Sequence, residues 1–364
     1  MRQTLFRVVF DDPWAFWKTD PATGLEGVGI AWLIGGVLLI WLAALLIHAR
    51  FRWQPEFTRL AAFAGGAIGV LTVLGLAGML PAFSFPIFGY GFMTLVGFLA
   101  ALGFARRQAR RAGLDPETMF DLGFWLLVPG VIGGRMAYLI QYSEQVFAGK
   151  QGGEFLFAII NLSNGGLVLI GAILGGAAGF FAYCHRHGVN QLMLADVIMP
   201  SIFIGIGFGR LGCLLNGCCF GDACSLPWAM TFPQGSVPFG VLADRGFIDP
   251  EAAATMPLHP TQIYSSLNGF VLATVTALYY PRRRHDGDLL ALGCILYPMT
   301  RFILEFLRND EMGQLGTRLT ISQFYSLGIL TAGVALLIYL SLRGREATSH
   351  FSAATPTGAG TDST

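Results

Sequence analysis

"LADVIMPSIFIGIGFGRLGCLLNGCCFG", residues 194–221, decides the fold class. Its first fifteen residues carry one charge, Asp196, and read as a membrane helix. Arg210 then arrives between Gly209 and Gly212, followed by Asn216 and three cysteines, Cys213, Cys218 and Cys219. An arginine at the end of such a helix is costly in lipid unless something anionic meets it.

The rest of the chain has the same character. It is 54% hydrophobic and 12% charged over 364 residues, against about 25% charged in a soluble domain. Apolar stretches long enough to cross a bilayer core of about 30 Å recur along nearly the whole length. The reading is an all-α polytopic membrane protein with about nine transmembrane helices. Spans are expected at 27–48, 60–80, 88–105, 118–141, 166–184, 194–212, 263–280, 289–306 and 322–342. No basic run with interleaved aromatics suggests nucleic acid. Asp11, Asp12, Asp20 and Glu26 occupy the place of a positive n-region, so the first apolar run reads as a retained helix, not a signal peptide.

Orientation follows from loop arginines and lysines. Thirteen fall in one set of loops, including Arg106, Arg107, Arg110, Arg111 and Arg282 to Arg284; seven fall in the other, including Lys150 and Arg245. The richer set is expected in the cytoplasm, with the N-terminus outside and the C-terminus inside. Segments 142–165 and 213–262 are then extracytoplasmic, the second a small Pro- and Gly-rich cap. Residues 346–364, rich in Ser, Thr, Ala and Gly, read as a disordered tail. Small-xxx-small spacings at Gly130/Gly134 and Gly171/Gly175/Gly179 suit close helix packing.

Three arginines lie within spans: Arg135 in "GGRMAYLIQY", Arg210, and Arg301 in "YPMTRFILEFLR". In this topology all three sit toward the outer end of their helix. Arg301, Glu305 and Arg308 follow i, i+4, i+7 spacing and share a face. Guanidinium recognises phosphate with a planar fork; alternatively each arginine snorkels to the interface. His259 in "LHPTQIY" either caps the helix starting near Thr261 or places an imidazole at the interface. Tyr90 and Tyr264 are either belt aromatics or hydrogen-bond donors to a pocket. Cys213, Cys218, Cys219 and Cys224 form C-x4-CC-x4-C, open to free thiols, one disulfide, a thiolate zinc site or a catalytic thiol.

"GGRMAYLIQY", "NGGLVLIGAILGG", "GRLGCLLNGCCFG", "LHPTQIY" and "RFILEFLR" occur in the order and spacing of the prolipoprotein diacylglyceryl transferase family. The chain resembles that family over roughly 84–342, in a subgroup with cysteines in the signature. The first two spans, in residues 1–81, look like an addition to a seven-helix core within 82–345. The resemblance implies transfer of the diacylglyceryl group of phosphatidylglycerol to the lipobox cysteine of exported prolipoproteins at the bacterial inner membrane. Glycerol 1-phosphate leaves, and neither metal nor cofactor is implied. Tyr90, Gly134, Arg135, Arg210, Asn216, Gly221, His259, Arg301 and Glu305 match the family's functional pattern. Catalysis is then expected of Arg210, Arg301, Glu305, His259 and Tyr90, and lipid binding of Gly134, Arg135, Arg210, Asn216, Gly221 and Arg308.

The chain departs from that pattern where protons move. Ile170 stands where the family often has histidine, Cys213 where it has asparagine, and Cys218 where it has glutamate. Ser265 stands where an acidic residue is common. His259, Glu305 and a signature thiolate remain as bases, with the arginine field assisted by His259 expected to activate the acceptor thiol. Two other readings are a related transferase with a different acceptor and an organic-anion transporter; the chain shows no inverted repeat of the kind transporters carry.

Topology is directly checkable. In a background lacking reactive thiols, Gly235→Cys should react with an impermeant maleimide in intact spheroplasts. Labelling confined to lysed cells would reverse the orientation.

Overall fold

The computed structural model describes residues 4–9, 18–19, 26–30, 32, 84–148, 152, 155, 158–159, 166–308 and 319–342. The long apolar runs form helices α1 (Gly89–Arg111), α2 (Glu117–Gln141), α4 (Leu169–His187), α5 (Gln191–Asn216), α7 (Thr261–Tyr279), α8 (Asp288–Glu305) and α9 (Ile321–Leu342). Short helices α3 (Ser143–Phe147) and α6 (Val237–Asp244) lie in the two polar segments. Each expected span from 88 onward is thus a helix, displaced by at most a few residues except that α1 continues to Arg111. Four of them, α1, α2, α5 and α9, are long and apolar enough by composition to cross a membrane. Residues 33–48, the span at 60–80 and the tail at 346–364 lie outside the described residues.

The all-α expectation needs one correction. A four-stranded sheet runs β2 (Lys18–Thr19), β3 (Glu26–Gly29), β1 (Thr4–Val9), β4 (Ser84–Phe88) in spatial order. β1 pairs parallel to β3 and antiparallel to β4. "TLFRVV" and "SFPIF" are rich in branched and aromatic residues that suit strands. Pro86, which has no N–H to give, sits on the edge strand β4, where a ladder tolerates it. Residues 27–29 of the first expected span are thus strand, and most of the remainder of that span lies outside the described residues.

The chain divides into two compact units, Met1–Leu95 with Gly209–Gln262, and Val96–Phe208 with Ile263–Thr364. In the first, Phe220, Phe232, Leu242 and Leu258 make a small core under the polar segment. Backbone bridges Met230–Leu258 and Pro233–Ala254 close it. In the second, Leu194, Val197 and Phe203 of α5 bury against Met119, Leu122 and Leu289. Large apolar side chains also point outward: Ile140 and Leu169 are each 73% exposed. Water would penalise that surface, and lipid would not.

Helices α2 and α4 meet backbone to backbone. A Cβ on Gly175 would strike the carbonyl of Pro129, and one on Gly179 the carbonyl of Trp125. Only glycine permits this approach, as the small-residue spacing predicts.

Helix α8 starts at Gly287, φ 102°, which has no side chain to cap the first turn. Asp196 of α5, fully buried, does so instead. It accepts the N–H groups of Gly287 at 2.8 Å, Leu289 at 3.0 Å and Leu290 at 3.0 Å. A helix end left with buried N–H groups unsatisfied loses stability. Asp196→Ala should cost about 1–3 kcal/mol, seen as a lower thermal midpoint of the detergent-solubilised protein, with Asp196→Asn intermediate.

Candidate active site

In the second unit, α8 ends on a charged cluster. Glu305 is 3% exposed. Its carboxylate is bonded by the guanidinium of Arg301 one turn earlier and lies 3.8 Å from that of Arg308. Thr320 donates its hydroxyl to the other oxygen at 3.0 Å. The i, i+4, i+7 face read from the sequence therefore exists, with Glu305 at its centre. Arg301 also donates to the Ser322 hydroxyl at 3.2 Å. These two contacts fix the direction of the fork while leaving further N–H groups on a five-donor guanidinium.

Three residues here escaped the sequence reading. Thr320 and Gln323 form a capping box at the start of α9. The Thr320 N–H donates to Gln323 Oε1 at 3.0 Å, and the Gln323 N–H to Thr320 Oγ1 at 3.3 Å. The T-x-x-Q pattern of "TISQ" before the last apolar run was the available signal. Ser322, inside the same box, had no signal of its own.

Arg135 is differently held. Its Nε donates to the Ile159 carbonyl at 2.9 Å, and its two terminal nitrogens to Gly166 at 3.1 Å and Ala158 at 2.5 Å. Beside it, the Gly134 carbonyl accepts the Val168 N–H at 3.0 Å. Gly166 sits at φ +94°, where a Cβ would meet Arg135 at 2.6 Å. Gly134 and Arg135 thus hold the segment leading into α4, on which Ile170 stands 39% exposed. Most of that guanidinium already serves backbone carbonyls, which a sequence cannot display.

In the first unit, the signature supplies the site. Asn190 starts α5, its Oδ1 accepting the N–H groups of Leu192 at 3.0 Å and Met193 at 3.3 Å. The helix stops at Gly217, φ +80°. The Cys218 N–H reaches the Cys213 carbonyl at 3.1 Å and the Gly217 N–H that of Leu214 at 3.2 Å. This is the left-handed glycine stop expected of such a motif. It folds Cys218 back over Cys213. Asn216 is the last residue of the helix before this turn.

Tyr90, at the start of α1, packs on the same turn. A Cβ on Gly212 would lie 3.2 Å from its ring and 3.3 Å from its carbonyl. Arg210 and the thiols of Cys213, Cys218 and Cys219 are within electrostatic reach of its phenol. His259, half-buried, is tied to the signature through its backbone. Its carbonyl accepts the Gly221 N–H at 3.0 Å, and its N–H donates to the Asp222 carbonyl at 2.9 Å. Tyr90, Arg210, Asn216, Gly221 and His259 thus belong to one unit, and Arg301, Glu305 and Arg308 to one cluster of the other.

Long apolar helices, one ending in a braced arginine–carboxylate cluster and one in an arginine-bearing glycine-rich turn, mark a polytopic membrane protein. A family model of prolipoprotein diacylglyceryl transferase matches residues 77–339. The phosphatidylglycerol–prolipoprotein diacylglyceryl transferase 2 of Clostridium perfringens is 33% identical over 266 residues, covering 73% of this chain and 96% of its own. The corresponding enzyme of Clostridium tetani is 32% identical over 252 residues, covering 69% and 92%. The chain belongs to the prolipoprotein diacylglyceryl transferase family.

Thr320 tests the cluster. Thr320→Val removes both the helix cap and the bond to Glu305, and should cost about 1–2 kcal/mol of stability together with a several-fold loss of turnover. Thr320→Ser should restore both in a thermal-melt and activity comparison.

Proposed function

We propose that the chain transfers the diacylglyceryl group of phosphatidylglycerol to the lipobox cysteine thiol of exported prolipoproteins, releasing glycerol 1-phosphate. The observation that carries this is the match to the transferase family together with an arginine, Arg210, on a glycine-lined turn of its signature. The thiol sulfur attacks the glyceryl carbon that bears the phosphate. A C–S bond forms, the C–O bond breaks, and charge develops on the departing phosphate. Arg210 stabilises that charge with its fork; in the second unit the guanidinium of Arg301, held by Glu305 and Ser322, is by itself an oriented cation of the kind that recognises phosphate. Glu305 and Arg308 act through Arg301. Tyr90 and Asn216 complete the signature side, and Gly221 with His259 fixes the return of the polar segment.

In this reading the protein is a multi-pass protein of the bacterial cytoplasmic membrane. Its N-terminus and the 213–262 segment are outside, and its C-terminus is inside. The family match starts at residue 77, which supports reading residues 1–81 as an addition to a seven-helix core. No imidazole stands at Ile170, so proton removal from the acceptor must come from elsewhere.

Cells depleted of their own transferase provide the test. The wild-type chain should restore diacylglyceryl modification of a reporter prolipoprotein. Arg210→Lys and Arg301→Lys keep the charge and lose the fork, and should each reduce transfer about 100-fold or more, the scale for removing one preorganised donor. Wild-type transfer by both lysine variants would overturn the assignment.

A further inference from the structure

Cys213, Cys218 and Cys219 place three sulfurs within 4.8 Å of one another. The glycine stop accounts for two of them, since it superposes the residue after the stop on the last helical turn, usually as an apolar contact. It does not account for the third. Cys219 has φ +61°, and among the described residues it is the one non-glycine residue with a positive φ. A left-handed backbone at such a residue is strained, and here it accompanies the arrival of the third thiol. Two side chains from the start of α7 hold the turn in place. Thr261 donates to the Cys219 carbonyl at 2.8 Å, and Gln262, fully buried, to the Cys218 carbonyl at 2.9 Å. The thiols are partly buried, and no disulfide joins them.

Two chemistries suit neighbouring thiols. A disulfide would join two sulfurs and leave the third without a role. A tetrahedral thiolate site needs sulfurs about 3.8 Å apart, as a Zn–S bond of about 2.3 Å dictates. Three sulfurs within 4.8 Å of one another on a braced turn need to close by about 1 Å at most to reach that spacing. Three thiolates also select a soft d10 cation over magnesium or calcium, and they leave one tetrahedral position open, as in catalytic rather than structural zinc sites.

We propose that Cys213, Cys218 and Cys219 form a three-thiolate site for a soft divalent cation of the zinc class, whose fourth position binds the acceptor thiol. This use of the fourth position rests on the transferase reading above. The acceptor binds as a thiolate, and its proton leaves to solvent. Its sulfur then attacks the glyceryl carbon, the C–O electron pair departs with glycerol 1-phosphate, and the cation keeps its charge and oxidation state. Metal coordination thereby supplies the nucleophile without a base at Ile170.

The test uses the full-length chain, purified reduced and chelator-treated in detergent. Co2+, a coloured stand-in for Zn2+, should bind at about one equivalent per chain with sulfur-to-metal charge-transfer absorption, and Zn2+ should displace it. Cys213→Ser, Cys218→Ser and Cys219→Ser should each weaken Co2+ binding by more than the about 10–100-fold typical of losing a supporting contact. Cys224→Ser, outside the cluster, should bind as the wild type does. A lipobox peptide should shift the Co2+ spectrum, and its Cys→Ser counterpart should not. No Co2+ or Zn2+ binding by the reduced wild type, or unchanged binding by Cys218→Ser, overturns the site; so does a disulfide among the three in protein isolated with thiol trapping. Unchanged lipid transfer after metal stripping overturns the role of the fourth position while leaving the transferase reading intact. Metal binding without any lipid transfer leaves the site standing and removes the transferase reading.

Discussion

A carboxylate cannot lie buried in an apolar helix bundle without partners, and Glu305 has three. Arg301 and Arg308 offset its charge, and Thr320 satisfies its second oxygen. Removing any one leaves a buried charge short of compensation, the costliest kind of polar error in a low-dielectric interior. The same contacts tie the end of α8 to the start of α9, because Thr320 is at once a partner of Glu305 and the first residue of a capping box. At the other end of α8, Asp196 performs a comparable service from α5. The helix carrying Arg301 is therefore anchored at both termini by buried carboxylates. Positional freedom of that guanidinium is spent in folding.

The signature turn reaches rigidity by another route. Helix α5 ends where a left-handed glycine forces it to end, and Cys218 lands on Cys213 as a geometric consequence. Thr261 and Gln262 then fix the carbonyls of the two following cysteines. The contact that usually buries an apolar pair buries sulfur here, and the strained Cys219 adds a third atom of the same kind. Local backbone rules thus give the turn its shape, while the choice of cysteine gives it its chemistry.

How much of this a sequence can display depends on the range of the forces involved. The seven helices from residue 88 onward were legible because an apolar run of span length has few alternatives in lipid. The Arg301–Glu305–Arg308 face was legible because helical spacing alone sets it. The sheet was not: its strands are as short as two residues, and long-range pairing, not periodicity, brings Thr4–Val9 to Ser84–Phe88. The setting of Arg135 was not legible for a related reason. Its three carbonyl partners lie 23 to 31 residues away and have no side-chain signature. The cysteines were left open between four readings because spacing alone does not say which sulfurs meet. Thr320 was overlooked although its capping box was in plain view.

Three intramembrane arginines that look alike in sequence are held in three distinct ways, and the differences bear on what each can do. Arg135 bonds three backbone carbonyl oxygens. Arg301 is braced by one carboxylate and one hydroxyl, so its remaining donors keep a set direction. Arg210 stands between Gly209 and Gly212 near the end of α5, close enough to Tyr90 to act on its phenol electrostatically. Stabilising a departing phosphate requires positive charge that is oriented before the charge develops. The bracing of Arg301 gives its guanidinium a set direction, and Arg210 is carried on the fixed end of its helix. Arg135 instead preserves the shape of the segment that enters α4. An arginine's depth in the membrane therefore does not define its role; the oxygen atoms already bonded to it do.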